Sequence, residues 1–348
     1  MAADKLLHPR PEGLYCPPGD FYVDPVRPVD RAVITHGHAD HARAGHRAVL
    51  ATPQTLAIMA ERYGEDFTHT RQASDYGERI SINGVSVTLV PAGHVLGSAQ
   101  AVIEHRGTRI VVSGDYKRRP DPTCALFEPV PCDVFVTEAT FALPVFRHPP
   151  TDEEVAKLLT SVERFPERTH LVGAYALGKA QRVIRHLRDQ GYDRPIYLHG
   201  AMEKLCALYQ RFGVDLGELR PVAGTTKEAV AGQIVVAPPS ATRDRWSRRF
   251  ADPVTAFASG WMRVRARARQ AAVELPLIIS DHADWDELMM TIEQIAPGEV
   301  WVTHGREDAL VHAVTQMGIA AKPLNLVGYD DEDGDSTNAG PSAQTKTS

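Results

Sequence analysis

Short runs rich in valine and isoleucine recur through the first third of this chain, and they end on or beside a histidine or a carboxylate. RAVITH ends at His36, VSVTLVPAGH at His94, QAVIEH at His105, TRIVVSGD at Asp115, and CDVFVTEA carries Glu138 next to its last residue. β-Branched runs of this length, closed by small or polar residues, read as strands. Apolar strands need a shared buried face, and polar residues at their ends need a rim. The chain is therefore constrained to a sheet-based core with a site along one edge. LPLIISDHADW and EVWVTHGRED later return to the same style and lead to His282 and His304.

From about Asp152 the texture changes. TDEEVAKLLTSVERF and GKAQRVIRHLRDQG carry the helical period, and RPIYLHG and QIVVAPP are short strands among them. Alternating helix and strand points to a separate α/β unit, inserted into a discontinuous one. The 348 residues, 43% of them hydrophobic, suffice for two cores. In the first unit TPQTLAIMAERYG reads as a helix capped by Thr52, with Pro53 at its first position and Gly64 at its end.

The four cysteines, Cys16, Cys124, Cys132 and Cys206, form no C-x-x-C pair, which argues against a zinc ribbon or a disulfide scaffold. Free thiols in a reducing cytosol fit better, with Cys124 and Cys132 read as buried small residues. The start MAADKLLHPRPEG has no signal-peptide pattern and no apolar run approaches a membrane span, so the expected location is the cytoplasm, without a membrane partner. The net charge of −6 is concentrated in the last residues, where DDEDGDSTNAGPSAQTKTS sets five acidic residues against Lys346. An acidic total thus leaves an anionic substrate open, because local distribution outweighs the sum. The tail is polar and aperiodic and reads as disordered.

THGHADH places His36, His38, Asp40 and His41 at H-x-H-x-D-H spacing, on a turn expected to enter a helix. His36 and His38, two apart in extended chain, can point the same way. Imidazole and carboxylate together suit Zn²⁺ or Mn²⁺. The bland reading is a polar loop, and taken singly His94, Asp115 and His304 are ordinary polar residues at strand ends. Together they complete a set for two divalent ions: His36, His38 and His94 on one, Asp40, His41 and His304 on the other, and Asp115 bridging. Ions ~3.5–4 Å apart clamp the attacking and leaving oxygens of a phosphodiester.

H-x-H-x-D-H, then a lone His, an Asp and a final His, resembles the metallo-β-lactamase fold, an αββα sandwich. The interval from Asp115 to His304 is similar to that of the β-CASP branch, which carries an inserted α/β domain and processes nucleic acids. On that resemblance residues 1–142 and 276–328 form the sandwich, 143–275 the insertion and 329–348 an acidic tail. The same resemblance implies Glu138 in VFVTEATF as the acidic motif and His282 in LIISDHADW as the general acid, which Glu138 would orient. It implies Asp24 in FYVDP as support for the metal-binding loop, and Asp40 as both ligand and guide of the attacking hydroxide. GLYCPPGDFYVDP, VSGDYKRRPDPTCALFEPV, GAYALGKAQR, APPSA and FASGWMRVRARARQ are similar to the bacterial ligase-associated DNA exonucleases. That similarity implies metal-dependent exonucleolytic hydrolysis of DNA in repair, in functional association with a DNA ligase and a helicase. His304, a histidine where RNA-processing members carry one, keeps an RNA-processing nuclease open. A small-molecule metallohydrolase would use the same metal floor without needing the insertion, and a binding module with a degenerate site would not fill every ligand position.

A nucleic acid needs a cationic track. Arg243, Arg245, Arg248, Arg249, Arg263, Arg265, Arg267 and Arg269 face only Asp244 and Asp252 in the same stretch. In MRVRARARQ the arginines alternate, so on a strand all four would share a face and follow phosphates; a solvated face is the bland alternative. Trp246 and Trp261 lie close by as stacking or packing residues. Lys117 and Arg118, with Arg119, follow Asp115 and are placed to meet the scissile region. Lys179 and Gln181 lie near an expected helix N-terminus, which favours phosphate. His69, His148, His186, His199 and His312 are isolated and read as surface or capping residues.

Overall fold

The first two sheets stack face to face because one side of each is apolar. The computed structural model describes residues 3–270, 273–324 and 326. In the first sheet His8–Arg10, Gly13–Cys16, Phe21–Val23, Arg31–Val33, Ala48–Ala51 and Thr70–Ala73 lie in sequence order. In the second the order is Ala320–Pro323, Glu299–Gly305, Val134–Ala139, Thr108–Val112, Ala99–His105, Val85–Pro91 and Arg79–Ile82. Leu14, Phe21, Val23 and Val33 of the first meet Val87, Leu89, Ile103, Val136 and Trp301 of the second in one buried cluster. The opposite faces are covered by helices. Leu56 and Met59 of Pro53–Tyr63 pack on Ala32, Ile34 and Val49. Leu288 and Ile292 of Trp285–Ile295, with Leu310 and Val314 of Glu307–Gln316, pack on Val111, Phe135 and Val300. The layers run helix, sheet, sheet, helix, the αββα arrangement expected from the motifs.

Strand direction builds the rim. Thr108–Val112, Val134–Ala139 and Glu299–Gly305 are mutually parallel, with Val136 opposite both Val112 and Trp301. Asp115, Glu138 and His304 therefore emerge at one edge, although 189 residues separate the first from the last. The helix Pro53–Tyr63 has the expected signals: Thr52 Oγ1 accepts the N–H of Thr55, and Gly64 closes it at φ 87°.

A third sheet is wholly parallel, in the order Leu219–Pro221, Ile196–Leu198, Ile234–Ala237, His170–Gly173, Val254–Ala258 and Leu275–Leu277. Alternation splits its side chains between two faces. Val172, Ile196, Val236 and Ala256 meet the helices Thr151–Arg164, Lys179–Asp189 and Gly200–Arg211, and this cluster reaches Ile58 and Leu96 of the first part of the chain. Leu171, Tyr197 and Val235 face the other way, against Val230, Phe250 and Trp246.

Four expectations need correction. The arginine-rich MRVRARARQ is not a strand: Gly260–Arg263 forms a single 3₁₀ turn and Arg265–Gln270 an α-helix. Its Ala, Arg and Gln are strong helix formers, and Val264 is the lone β-branched residue there. The turn of THGHADH is closed by Ala42 N–H to the carbonyl of His38 at 2.7 Å, but no helix follows it. LPL, read as a return to the first style, is the edge strand Leu275–Leu277 of the third sheet, paired with Val254–Ala258. Cys124 and Cys132 are half-buried rather than buried. The tail expected to be disordered lies outside the described residues, and among those no helix is long and apolar enough to cross a membrane.

Candidate metal centre

The rim gathers side chains from five segments around Asp115. His36 and His38 leave the end of Arg31–Val33, and His94 follows Val85–Pro91. With Asp115 they form a buried group whose donor atoms lie within 4.8 Å of one another. His41, Asp115 and His304 form a second group by the same measure, and Asp115, Glu138 and His282 a third. Asp115 belongs to all three, the place expected of a bridging carboxylate. Its Oδ2 is 3.4 Å from His36 Nε2, 3.5 Å from His41 Nε2 and 3.7 Å from His94 Nε2. Four donors at tetrahedral Zn–N distances stand about 3.3 Å apart, so this spacing suits a shared cation. Asp40 Oδ2 lies 3.5 Å from His41 Nε2, which puts Asp40 beside the second group.

Outer contacts fix how these rings point. Asp24 sits in the left-handed region at φ 44°. Its Oδ1 accepts the Thr35 N–H at 2.7 Å, and its Oδ2 accepts both Thr35 Oγ1 at 2.6 Å and His41 Nδ1 at 2.8 Å. The His41 Nε2 edge is thereby turned to Asp115, as a support for the loop should do. His94 Nδ1 donates to the carbonyl of Asp281 at 2.9 Å, and His38 Nε2 to that of Leu177 at 3.3 Å. His94 Nε2 and His38 Nδ1 are left facing each other at 2.9 Å.

Burial dominates the protonation of most of these rings. It pushes His36 down to about 4, aided by His41. It does the same to His304, again to about 4, with His41 next in effect. Burial and then His36 hold His94 well below the usual imidazole value. Those three present lone pairs, the form that binds metal. His41 differs: burial opposes its charge, but Asp40 and Asp115, with the bond to Asp24, hold it up at about 10. Burial also opposes the charge of Asp115, yet His41 and His282 keep its carboxyl well below the usual range. Among the described residues, His36 Nε2 and Asp40 Oδ1 are buried with no hydrogen-bond partner. Orphaned acceptors aimed into a histidine–carboxylate cluster are what a divalent cation satisfies, so the residues fit the ion.

His282 and Glu138 lie against this cluster. His282 Nδ1 is 2.9 Å from Glu138 Oε2, and the His282 and His94 rings are 4.7 Å apart. Glu138 Oε1 accepts the Tyr116 N–H at 2.8 Å, so both carboxylate oxygens are used. His282 is buried in the loop before Trp285–Ile295.

The basic residues fare unevenly. Lys117 is buried 3.6 Å from Asp121, and burial followed by Arg182 pushes its ammonium down to about 8. Arg118 donates to Thr291 Oγ1 at 2.9 Å and Gln294 Oε1 at 2.6 Å, and Arg119 to the carbonyls of His148 and Pro149 and to Asp284. Both arginines thus tie the Asp115 loop to neighbouring segments. Lys179 does start a helix but is wholly buried, with Nζ 3.0 Å from Asp281 Oδ2, and Gln181 caps Gly178. Arg263, Arg265 and Arg269 are exposed; Arg267 lies over the Trp261 ring at 4.0 Å. Trp261 packs on Phe141, whose ring is 6.1 Å from that of His282, so the arginine segment begins two rings from the His282–Glu138 pair. Of the isolated histidines, His199 caps its helix, His186 contacts Asp152, His69 and His312 are exposed, and His148 is buried against Phe141 rather than on the surface. Sequence reasoning missed the carbonyls of Leu177 and Asp281, which a sequence cannot display, and Arg182, which lies opposite the stripe of Ala180, Val183, Ile184 and Leu187 on its helix and so reads as a solvated charge.

A sequence profile described as a beta-lactamase superfamily domain matches residues 9–172. A probable DNA ligase of Opitutus terrae is 28% identical over 317 residues, 89% of this chain and 30% of that protein. The cleavage and polyadenylation specificity factor subunit 3 of Dictyostelium discoideum is 30% identical over 58% of this chain and 31% of its own length. Endoribonuclease ysh-1 of Neurospora crassa is 31% identical over 50% of this chain and 21% of its own. The chain thus spans about a third or less of these curated relatives. A protein of unknown function from Enterococcus faecalis shares the fold, with a TM-score of 0.57 at 15% identity over 84% of this chain and 78% of that one.

Proposed function

We propose that this chain, whose residues 9–172 match a beta-lactamase superfamily domain profile and whose candidate donors converge on Asp115, is a β-CASP-branch metallo-β-lactamase-fold nuclease that hydrolyses DNA phosphodiesters from an end, with two divalent ions, in DNA repair. The observation that carries the reading is the buried His282–Glu138 pair set against two histidine–aspartate groups. On this reading His36, His38 and His94 hold one ion, His41 and His304 with Asp40 the other, and Asp115 lies between them. When bound, zinc or manganese supplies Lewis acidity toward the phosphate and acidifies a water. The chain supplies the rest. Glu138 holds the proton on His282 Nδ1, which leaves Nε2 to deliver its proton to the leaving oxygen. Asp40, beside the second group, orients the attacking water. The inserted unit runs from 143 through the edge strand Leu275–Leu277, with Arg263, Arg265 and Arg269 presenting cations toward a strand of substrate.

DNA is favoured over RNA because the relative named as a DNA ligase aligns with 89% of this chain, whereas the relatives named as endoribonucleases align with 50% to 61% of it. The ligase name also supports functional association with a DNA ligase. His304, together with the endoribonuclease names, supports RNA as the second reading. End-labelled DNA and RNA of matched sequence, incubated with Mn²⁺ or Zn²⁺ and resolved as ladders from both ends, distinguish them. Stepwise shortening of DNA is expected; cleavage of RNA alone would overturn the assignment.

A further inference from the structure

The third sheet's unit reaches the first donor group through a buried ionic junction. Arg182, on the helix Lys179–Asp189, has no exposed surface. Its Nη2 donates to the backbone carbonyl of His94 at 2.8 Å. The rest of its guanidinium meets the carboxylates of Asp121 and Asp281. Asp281 also takes Lys179 Nζ at 3.0 Å, and its own backbone carbonyl accepts His94 Nδ1 at 2.9 Å. His94 is thus held twice, by its carbonyl and by its ring, and both contacts run through the Arg182–Asp281 pair. The loop before that helix supplies the Leu177 carbonyl to His38 Nε2 at 3.3 Å.

These bonds choose tautomers. A proton on His94 Nδ1 leaves its Nε2 lone pair facing the cluster, and a proton on His38 Nε2 leaves Nδ1 facing it. Ring partners of this kind set ligand orientation and basicity. Gly178 tightens the contact, since a Cβ there would stand 2.4 Å from Val95 Cγ1, next to His94.

We infer that Arg182 and Asp281 are positioning residues of the metal centre, so that the first ion is bound fully only while the unit bearing Lys179–Asp189 is seated on the rim. The inference rests on the metal reading given above and goes beyond it: the inserted unit completes the cation site as well as offering a surface to substrate. By linkage, an ion that favours the seated arrangement must in turn hold that arrangement closed.

The test reads metal binding rather than nuclease activity. Competition with a chromogenic chelator gives the Zn²⁺ affinity of the full chain, of Arg182→Lys and of Asp281→Asn. A loss of tenfold to a hundredfold is expected, the usual effect of removing an outer partner, while the exposed Lys227→Gln retains the affinity of the unmodified protein. Hydrogen exchange of the unmodified protein, with and without Zn²⁺, keeps the idea testable where a variant does not fold. The ion should slow exchange in the helix 179–189 and the segment 279–284. Zinc bound with equal affinity by folded Arg182 and Asp281 variants, or zinc that leaves exchange in those segments unchanged, overturns the inference and leaves the metal reading standing. A chain that binds no zinc overturns both.

Discussion

His282 Nδ1 and Glu138 Oε2 stand 2.9 Å apart where Glu138 has no exposed surface. Neither bond of this carboxylate is exposed to solvent competition, so the ring is fixed with one nitrogen toward the cluster. General acid catalysis is worth roughly 10²–10⁴-fold. His282→Ala should therefore lose about that factor in kcat while metal content, read by plasma mass spectrometry, stays at two ions per chain. Loss of an ion in this variant would show that His282 is a ligand rather than the acid.

His41 and its neighbours should make the binding of the second ion release a proton. In the metal-free protein Asp40 and Asp115 hold His41 up at about 10 against burial, so it is charged at neutral pH. Coordination through Nε2 requires that proton to leave. His36 and His94, both lowered, release none. Calorimetric titration at pH 7.5 in buffers of different ionisation enthalpy should find one proton released for the ion of the His41 group and close to none for that of the His36 group. Equal release at both would remove His41 as the distinguishing ligand.

The same groups set how metal-free stability varies with pH. An unfolded histidine titrates near 6.5. The raised His41 stabilises the fold fully below that value and ceases to do so as pH rises through about 10. The lowered His36 and His304 contribute above it and are lost as pH falls through about 4. Urea midpoints of the metal-free protein should decline as pH rises from 6.5 toward 9, and His41→Ala should lessen that decline, whereas the thiols of Cys16, Cys124, Cys132 and Cys206, which burial pushes up, act only at higher pH. An alkaline limb unchanged in that variant would contradict the assignment.

The donors were legible because strand endings are local. Arg31–Val33, Val85–Pro91, Val134–Ala139 and Glu299–Gly305 are apolar runs that stop at polar residues, and parallel pairing brings the stops together. Alternation in the arginine segment gives a strand only where a neighbouring strand exists to pair with, and here the segment is helical instead. Lys117 and Arg118 are close to Asp115 in sequence, yet Asp121 and Thr291 claim them in three dimensions. The Arg182 junction joins residues from positions 94, 121, 182 and 281, a separation that no local pattern encodes.

Asp24 offers a test of the loop that carries His41. Asp24→Asn tolerates the left-handed backbone, since Asn enters that region more readily than most residues. Its amide oxygen can keep the bond from the Thr35 N–H, but the NH2 in place of Oδ2 donates and can accept neither the Thr35 Oγ1 nor the His41 Nδ1 bond. Stranding buried donors costs about 1–3 kcal/mol. The metal-free variant should lose that much in denaturant unfolding, and its affinity for the His41-group ion should fall while that for the other ion holds. Equal weakening of both ions would mean that Asp24 supports the whole rim.

Arg263, Arg265 and Arg269 separate a nucleic-acid enzyme from a small-molecule hydrolase. They are exposed, they begin two rings from His282, and they follow Trp261, which is itself packed on Phe141. Arg267 is better left intact, because its place over Trp261 makes its removal a packing change. If the three meet phosphates, log affinity for single-stranded DNA should fall with log salt, with a slope of about −0.7 for each phosphate neutralised. Replacing all three with Gln should reduce the steepness by about 2 and raise KM for long strands. A nitrophenyl phosphodiester, which needs only the ions and His282, should be hydrolysed at the original rate. An unchanged salt slope would make these arginines a solvated face and move the search for the grip to Arg243, Arg245 and Arg248.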